Sequence, residues 1–462
     1  MTEKAASDNI TGEVIVENKT GKSLVKAGLI KLIISCVIIV ALVIAVAIGN
    51  AIAFKYESVI NSVLAQPIVD EEERSASSAS GQKMAQRIVE EGTVLLKNEN
   101  GALPLDTAET PQVNVFGWHS IDWLYGTGGG NVSSGGVLPE NDDISENIDL
   151  YKALNDYGIR YNEDLYNMYY NYKRPYLLAS GWKTGDIRDA MPLVEPSISD
   201  REWYTESLLN DAKAYSDTAL VVISRLMGEG GDCSKTSQPK DGPDGRTTAD
   251  GRHFLEISTE EEELLTYVGA NYENVIVLIN TCNQFELGFL DTVPGLDACM
   301  YVGYTGTRAA SSLPKLLYGE VSPSGHTTDT FAYDLMTNPS AIWTGTSYTD
   351  GGSHLDKVAG IYVGYKWYET AYAEGLWSEE NGYPGGYESV VQFPFGYGLS
   401  YTTFDWTVDD IKIDGVSASE GAALAANSKI EFTVTVTNTG ESAGRDVVEV
   451  YCTAPYTDGG IE

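Results

Sequence analysis

Val221-Val222-Ile223-Ser224-Arg225-Leu226-Met227-Gly228-Glu229-Gly230-Gly231-Asp232 is an apolar, β-branched run that breaks into glycines around a carboxylate. Ala219 and Leu220 extend it backwards, and no polar residue alternates through it before Ser224, so it reads as a strand covered on both faces. Residues 113–116, 275–280 and 299–302 have the same character, each followed by polar or glycine punctuation. Segments with helical apolar spacing fall around and between them, at 84–96, 146–157, 206–215, 259–272 and 308–318. Buried strands alternating with helices predict an α/β fold, a layered sandwich whose mostly parallel sheet carries helices on both faces. In such folds ligands bind at the carboxyl ends of the strands.

The glycines of 228–231 let the backbone approach a ligand closely and could hold Glu229 up at that sheet edge. Read from these residues alone, Glu229 is either a site carboxylate or a solvated loop acid. A phosphate-cradling loop is the other familiar use of glycines after a strand. Gly228-x-Gly230 lacks its third glycine, because Cys233 stands there, and a carboxylate in the turn would repel a pyrophosphate. The loop from Gly126 to Asn131 also misses its last glycine, and neither loop ends in Gly-Lys-Ser/Thr. Dinucleotide and ATP binding are therefore not expected.

The chain has 462 residues and 43% hydrophobic side chains, enough for two or three folded units. Lys plus Arg number 30 against 66 Asp plus Glu, a net charge of −36 that opposes nucleic acid as a partner and suits a soluble surface protein. Five cysteines show no C-x-x-C spacing, and His119, His253, His326 and His354 are dispersed, so no metal site and no cofactor are expected.

Residues 32–54 carry no charge, and a helix of that length reaches about 34 Å, enough to span the hydrocarbon core. Lys19, Lys22, Lys26 and Lys31 precede it, while Glu57 and the acidic run 70–73 follow Lys55. The positive-inside rule then leaves the N-terminus in the cytoplasm and the rest outside, a single-pass arrangement in the cell membrane. A cleaved signal peptide competes through Ala51-Ile52-Ala53, but the leader and apolar run are both longer than usual. Residues 69–81, charged and then small and polar, read as a flexible tether, with a globular domain starting near Gln82. After about Thr403 the pattern changes to strict alternation: Ile430, Phe432, Val434 and Val436 are separated by Glu431, Thr433 and Thr435. The turn Asn438-Thr439-Gly440 and a second strand at 447–451 follow. That predicts the start of a β-sandwich, shorter than the roughly 100 residues such a domain needs.

The residues from Glu90-Glu91-Gly92-Thr93-Val94-Leu95-Leu96-Lys97-Asn98 to Leu105 closely resemble the entry of the α/β sandwich domain of glycoside hydrolase family 3, the β-glucosidases and their relatives. Matches in family order follow at Ile223 to Asp232, Leu317-Tyr318-Gly319-Glu320-Val321-Ser322-Pro323-Ser324-Gly325, Ile361 to Tyr368 and Phe393-Pro394-Phe395-Gly396-Tyr397-Gly398-Leu399-Ser400-Tyr401-Thr402. Thr437 to Gly440 with Ala443-Gly444 is similar to the start of the family's fibronectin-III-like domain. The apolar run and its charged flanks mark a cytoplasmic tail (1–31), a transmembrane helix (32–54) and an extracellular linker (55–81); the resemblance implies an (α/β)6-type three-layer sandwich (82–404) followed by an incomplete fibronectin-III-like β-sandwich (405–462).

The same resemblance implies retaining hydrolysis of a terminal β-linked sugar, with an oligosaccharide or β-glucoside as partner. Glu229 matches the general acid/base, while Trp118, Gly128, Gly129 and Asp232 are candidate sugar contacts. The family usually continues Gly-x-Asp-Arg, but Cys233 follows Asp232 here, so a cation for that loop is lacking or comes from elsewhere. The nucleophile in this family comes from a (β/α)8 barrel, and no such run precedes Gln82; the chain fits the front half of a permuted member. Ser120-Ile121-Asp122-Trp123 is similar to the nucleophile motif but has an extra residue and reads as a sandwich loop. A retaining pair needs carboxyl groups about 5–5.5 Å apart, so the chain alone is expected to supply the acid/base half only and to show little activity. A non-catalytic surface module that binds carbohydrate or scaffolds a partner is the alternative. The aromatic set Tyr362, Tyr365, Trp367, Tyr368 and Tyr372 is spaced as one packed helical face, with a sugar platform as its other reading.

Overall fold

The structure, a computed structural model, describes residues 5–57, 71–126, 147–179, 195–225, 252, 255–339, 359–419 and 421–452. Two compact units divide at Ala79/Ser80. In the first, helix α1 (Ala5–Lys55) contains a stretch, Gly28–Lys55, long and apolar enough to cross a membrane. Membrane spans and signal sequences share that property.

The second unit is built on a six-stranded sheet in the order β1-β6-β5-β4-β2-β3. Its strands are β1 (Val94–Asn98), β2 (Gln112–Phe116), β3 (Arg160–Tyr161), β4 (Thr218–Ser224), β5 (Asn274–Asn280) and β6 (Ala298–Tyr301). All neighbours run parallel except β1, which pairs antiparallel with β6. Alternate residues of β4 face opposite layers: Val221 and Ile223 pack into one core, Leu220 and Val222 into the other. That two-sided burial explains why the strand is apolar throughout.

Helices cover both faces. α4 (Glu163–Ala179), α5 (Glu206–Tyr215) and α6 (Thr259–Asn271) contribute Tyr169, Leu209 and Val268 to the first core. α3 (Leu150–Tyr157) and α7 (Leu313–Leu317) contribute Leu154 and Leu316 to the second. α3 starts where the Asp149 side chain accepts the N–H of Lys152 and stops at left-handed Gly158, as its sequence requires.

Three expectations need correction. The helix expected over 84–96 ends at Gly92, within α2 (Glu71–Gly92), and β1 follows at once. The apolar run 94–96 is short enough for either period, and pairing with buried β6 decides it. The tether expected over 69–81 is helical from Glu71, carried by Glu, Ala, Arg and Gln in spite of its missing apolar stripe. The helix expected over 308–318 is broken into a turn at Gly306–Ala309, a 3-10 segment at Ala310–Ser312 and α7, which Pro314 helps to open.

β7 (Phe331–Ala332) pairs antiparallel with β8 (Val391–Phe393). Beyond Phe393 the chain forms further short strands: β9 (Phe404–Val408) pairs with β13 (Val434–Asn438), and β10 (Lys412–Ile413) with β11 (Val416–Ser417) and β12 (Ile430–Glu431). Residues 447–451 are not a strand; the partner of β13 is β9, and Asn438 instead accepts the Thr402 hydroxyl at 2.7 Å. The aromatic set is divided as well. In α8 (Tyr365–Ala373) Tyr368 is fully buried beside Trp377, whereas Tyr362 and Tyr372 are exposed.

Candidate functional site

β2 has β3 on one side and β4 on the other, so the chain leaves β2 in one direction and returns across it. The crevice beyond the carboxyl ends of β2 and β4 is therefore the topological switch point of the sheet, the place where open α/β folds bind ligands. Two segments border it: the turn after Phe116 and the residues after Ser224.

The first begins at Gly117, whose φ of 93° suits glycine and whose absent Cβ would lie 2.3 Å from the carbonyl oxygen of Val222 in β4. A 3-10 turn, Trp118–Ile121, follows. Trp118 is 2% exposed, its indole 4.2 Å from the His119 ring. The Ser120 and Tyr151 hydroxyls are 2.8 Å apart, and Trp123 donates its indole N–H to Thr305 at 2.9 Å. Asn280, the last residue of β5, accepts the N–H of Leu124 at 2.7 Å. Asp122 is buried, so Ser120-Ile121-Asp122-Trp123 lies inside the sandwich directly after β2. The turn is anchored from below by Glu195, which accepts the N–H of Trp118, and by Tyr169, which accepts that of Gly117.

The second segment is clamped through Arg225. Its guanidinium is fully buried and donates to both oxygens of Glu261, at 2.8 and 2.7 Å, and to the carbonyls of Ser224 and Glu256. It also lies over the Phe285 ring, 4.6 Å from the centroid. The Arg225 carbonyl accepts hydroxyls from Thr281, beyond β5, and Tyr304, beyond β6, each at 3.1 Å. Glu261 completes a capping box at the start of α6: Ser258 accepts its N–H, and it accepts that of Ser258. One arginine thus ties the chain leaving β4 to α6 and to the loops after β5 and β6. It is a cation held only four residues before Glu229.

Glu229, Gly128, Gly129 and Asp232 lie outside the described residues, as does most of the loop beyond Gly126. Trp118 is the candidate contact that the structure describes, and its indole is packed in the first core. Arg225, Glu261, Glu195, Tyr169 and Tyr204 were not singled out by sequence. A lone guanidinium closing an apolar strand and the Ser258-x-x-Glu261 spacing were readable signals for the clamp; nothing comparable marks Glu195. Among the described residues no group of three or more His, Cys, Asp or Glu could hold a metal ion. A cavity of about 580 Å³, bordered by Arg160, Tyr161, Glu163, Asp164, Asp211 and Tyr215, lies at the amino ends of the strands, away from this crevice.

A layered α/β sandwich with a switch-point crevice defines the class. The chain belongs to glycosyl hydrolase family 3: residues 93–401 match the model of that family's C-terminal domain. The β-glucosidase of Ruminococcus albus is 32% identical over 371 residues, which take in 79% of this chain and 31% of that protein. β-Glucosidase A of Butyrivibrio fibrisolvens is 28% identical over 406 residues, 84% of this chain and 43% of that one. The solved β-glucosidase of Paenibacillus barengoltzii superposes with a TM-score of 0.57 at 26% identity, over 78% of this chain and 33% of its own. β-Glucosidase 3B of Thermotoga neapolitana, solved with α-D-glucose, shares the fold at a TM-score of 0.53 and 23% identity, over 78% of this chain and 47% of its own. The chain spans about a third to under half the length of these relatives.

Proposed function

We propose that this chain supplies the acid/base half of a retaining β-glucosidase site, with Glu229 as the proton shuttle. Membership of family 3 and relatives named β-glucosidases support the reading. The observation that carries it is the Arg225 clamp, which commits a buried cation and three neighbouring loops to holding the chain just before Glu229.

In the first step Glu229 gives its proton to the glycosidic oxygen, while a carboxylate from outside these 462 residues attacks the anomeric carbon and the aglycone leaves as an alcohol. In the second, Glu229 removes a proton from water, whose oxygen displaces the enzyme carboxylate and frees the sugar. Gly128, Gly129 and Asp232 are proposed sugar contacts, and Trp118 backs the pocket. α1 is proposed as an uncleaved anchor with its N-terminus in the cytoplasm and the sandwich outside.

The test is the pH profile of kcat/KM for the whole gene product. Glu229 must be protonated to act, so activity falls as pH rises through its pKa, and Glu229→Gln should abolish that alkaline limb. An alkaline limb that persists unchanged in Glu229→Gln contradicts the assignment.

A further inference from the structure

Glu195 is 5% exposed and takes no part in the chemistry above, yet both its oxygens are engaged. Oε2 accepts the N–H of Trp118 at 2.7 Å; Oε1 lies 3.0 Å from the Tyr204 hydroxyl and 3.2 Å from that of Tyr169. The two phenol oxygens are 2.5 Å apart, and that of Tyr169 accepts the N–H of Gly117 at 2.8 Å. Two consecutive N–H groups of the turn bordering the crevice therefore hang on one triangle of oxygens.

The protons of this triangle can be placed in both charge states. With Glu195 ionised, Tyr169 donates to Tyr204 and Tyr204 donates to Oε1. With Glu195 neutral, its O–H donates to Tyr204, Tyr204 to Tyr169, and Tyr169 back to Oε1, which leaves no hydroxyl without an acceptor. What changes is the charge on the group that receives the Trp118 N–H, and hydrogen bonds to ionised acceptors are shorter and stronger.

We propose that Glu195 is a positioning residue of the crevice, an ionisable latch whose change of charge alters the grip on the Gly117–Trp118 turn without breaking it. Its consequence for sugar binding rests on reading the crevice as the glucoside site; the latch itself does not. Burial pushes the Glu195 carboxyl up to about 8, opposed by the bonds from Trp118, Tyr204 and Tyr169 and reinforced by the charge of Glu261. The charged and titratable groups on the elements around it are Tyr169 of α4, Tyr204 ahead of α5, Glu261 of α6 with its partner Arg225, and His119 and Asp122 on the turn. Burial and the Glu195 charge hold both phenols well above their ordinary range, so they stay protonated while Glu195 titrates.

The experiment is 19F NMR of the solubilised full chain with its eight tryptophans replaced by 5-fluorotryptophan, the Trp118 resonance being assigned by Trp118→Phe. The wild-type resonance should shift with a midpoint near 8. Glu195→Gln, whose amide keeps a neutral acceptor for the Trp118 N–H and a donor toward the phenols, should hold a position near the low-pH one up to about pH 10. A β-thioglucoside titration of the whole gene product, which carries both halves of the proposed site, should show the dissociation constant changing about threefold across the midpoint in wild type and staying level in the variant. A flat wild-type resonance overturns the latch without any variant, and so does a transition that survives in Glu195→Gln. Failure to bind the thioglucoside at every pH would count against the glycosidase reading alone, because the fluorine resonance decides the latch by itself.

Discussion

At Arg225 a fully buried guanidinium persists because two carboxylate oxygens and two carbonyls receive its N–H groups and a phenyl ring lies beneath it. Removing one member leaves the other charge stranded. Arg225→Met should therefore destabilise the fold by roughly 3–5 kcal/mol, read from denaturant midpoints, and adding Glu261→Leu should recover much of that loss. A single variant within about 0.5 kcal/mol of wild type would show that the pair holds nothing. Sequence disclosed the glycine-flanked carboxylate at 229, because glycines and an acid after an apolar strand form a local pattern. It marks the two ends of the clamp, a lone guanidinium and a capping-box spacing, but not their pairing: Arg225 and Glu261 are 36 residues apart, and only the fold brings them together. The same holds for Glu195, whose partners Trp118, Tyr169 and Tyr204 come from three separate segments of the chain.

Among the elements, agreement follows how much of each is fixed locally. β4 and β5 were expected at 219–224 and 275–280 and occupy 218–224 and 274–280; α5 falls at 206–215 as read. Those segments carry their period or continuous apolarity within themselves. β1 does not, and its antiparallel pairing with β6 decides what a short apolar run becomes. α2 is helical by composition without an apolar stripe, so periodicity was blind to its first turns. The sharpest local constraint is Gly117, where the turn leaves β2 against the backbone of Val222. Gly117→Ala meets a positive φ and a carbonyl oxygen together, and should cost at least about 2 kcal/mol in thermal or denaturant unfolding. Stability equal to wild type would mean that the turn can move aside, and the crevice would lose its fixed edge.

For the molecule as a whole, the proposed anchor and the proposed half-site set what must be measured. An uncleaved α1 predicts that the mature protein keeps its N-terminus and resists extraction from membranes at alkaline pH. N-terminal sequencing that begins just after Ala53 would make the helix a signal sequence instead. Hydrolysis tests the site itself. The most direct measurement is the leaving-group dependence of Glu229→Gln in the whole gene product. The variant should lose about 10²–10⁴ in kcat/KM on an unactivated β-linked disaccharide, where the departing oxygen needs a proton. It should lose far less on a dinitrophenyl β-glucoside, which departs without one. Equal losses on both substrates, or none on the disaccharide, would contradict a proton-donating role for Glu229.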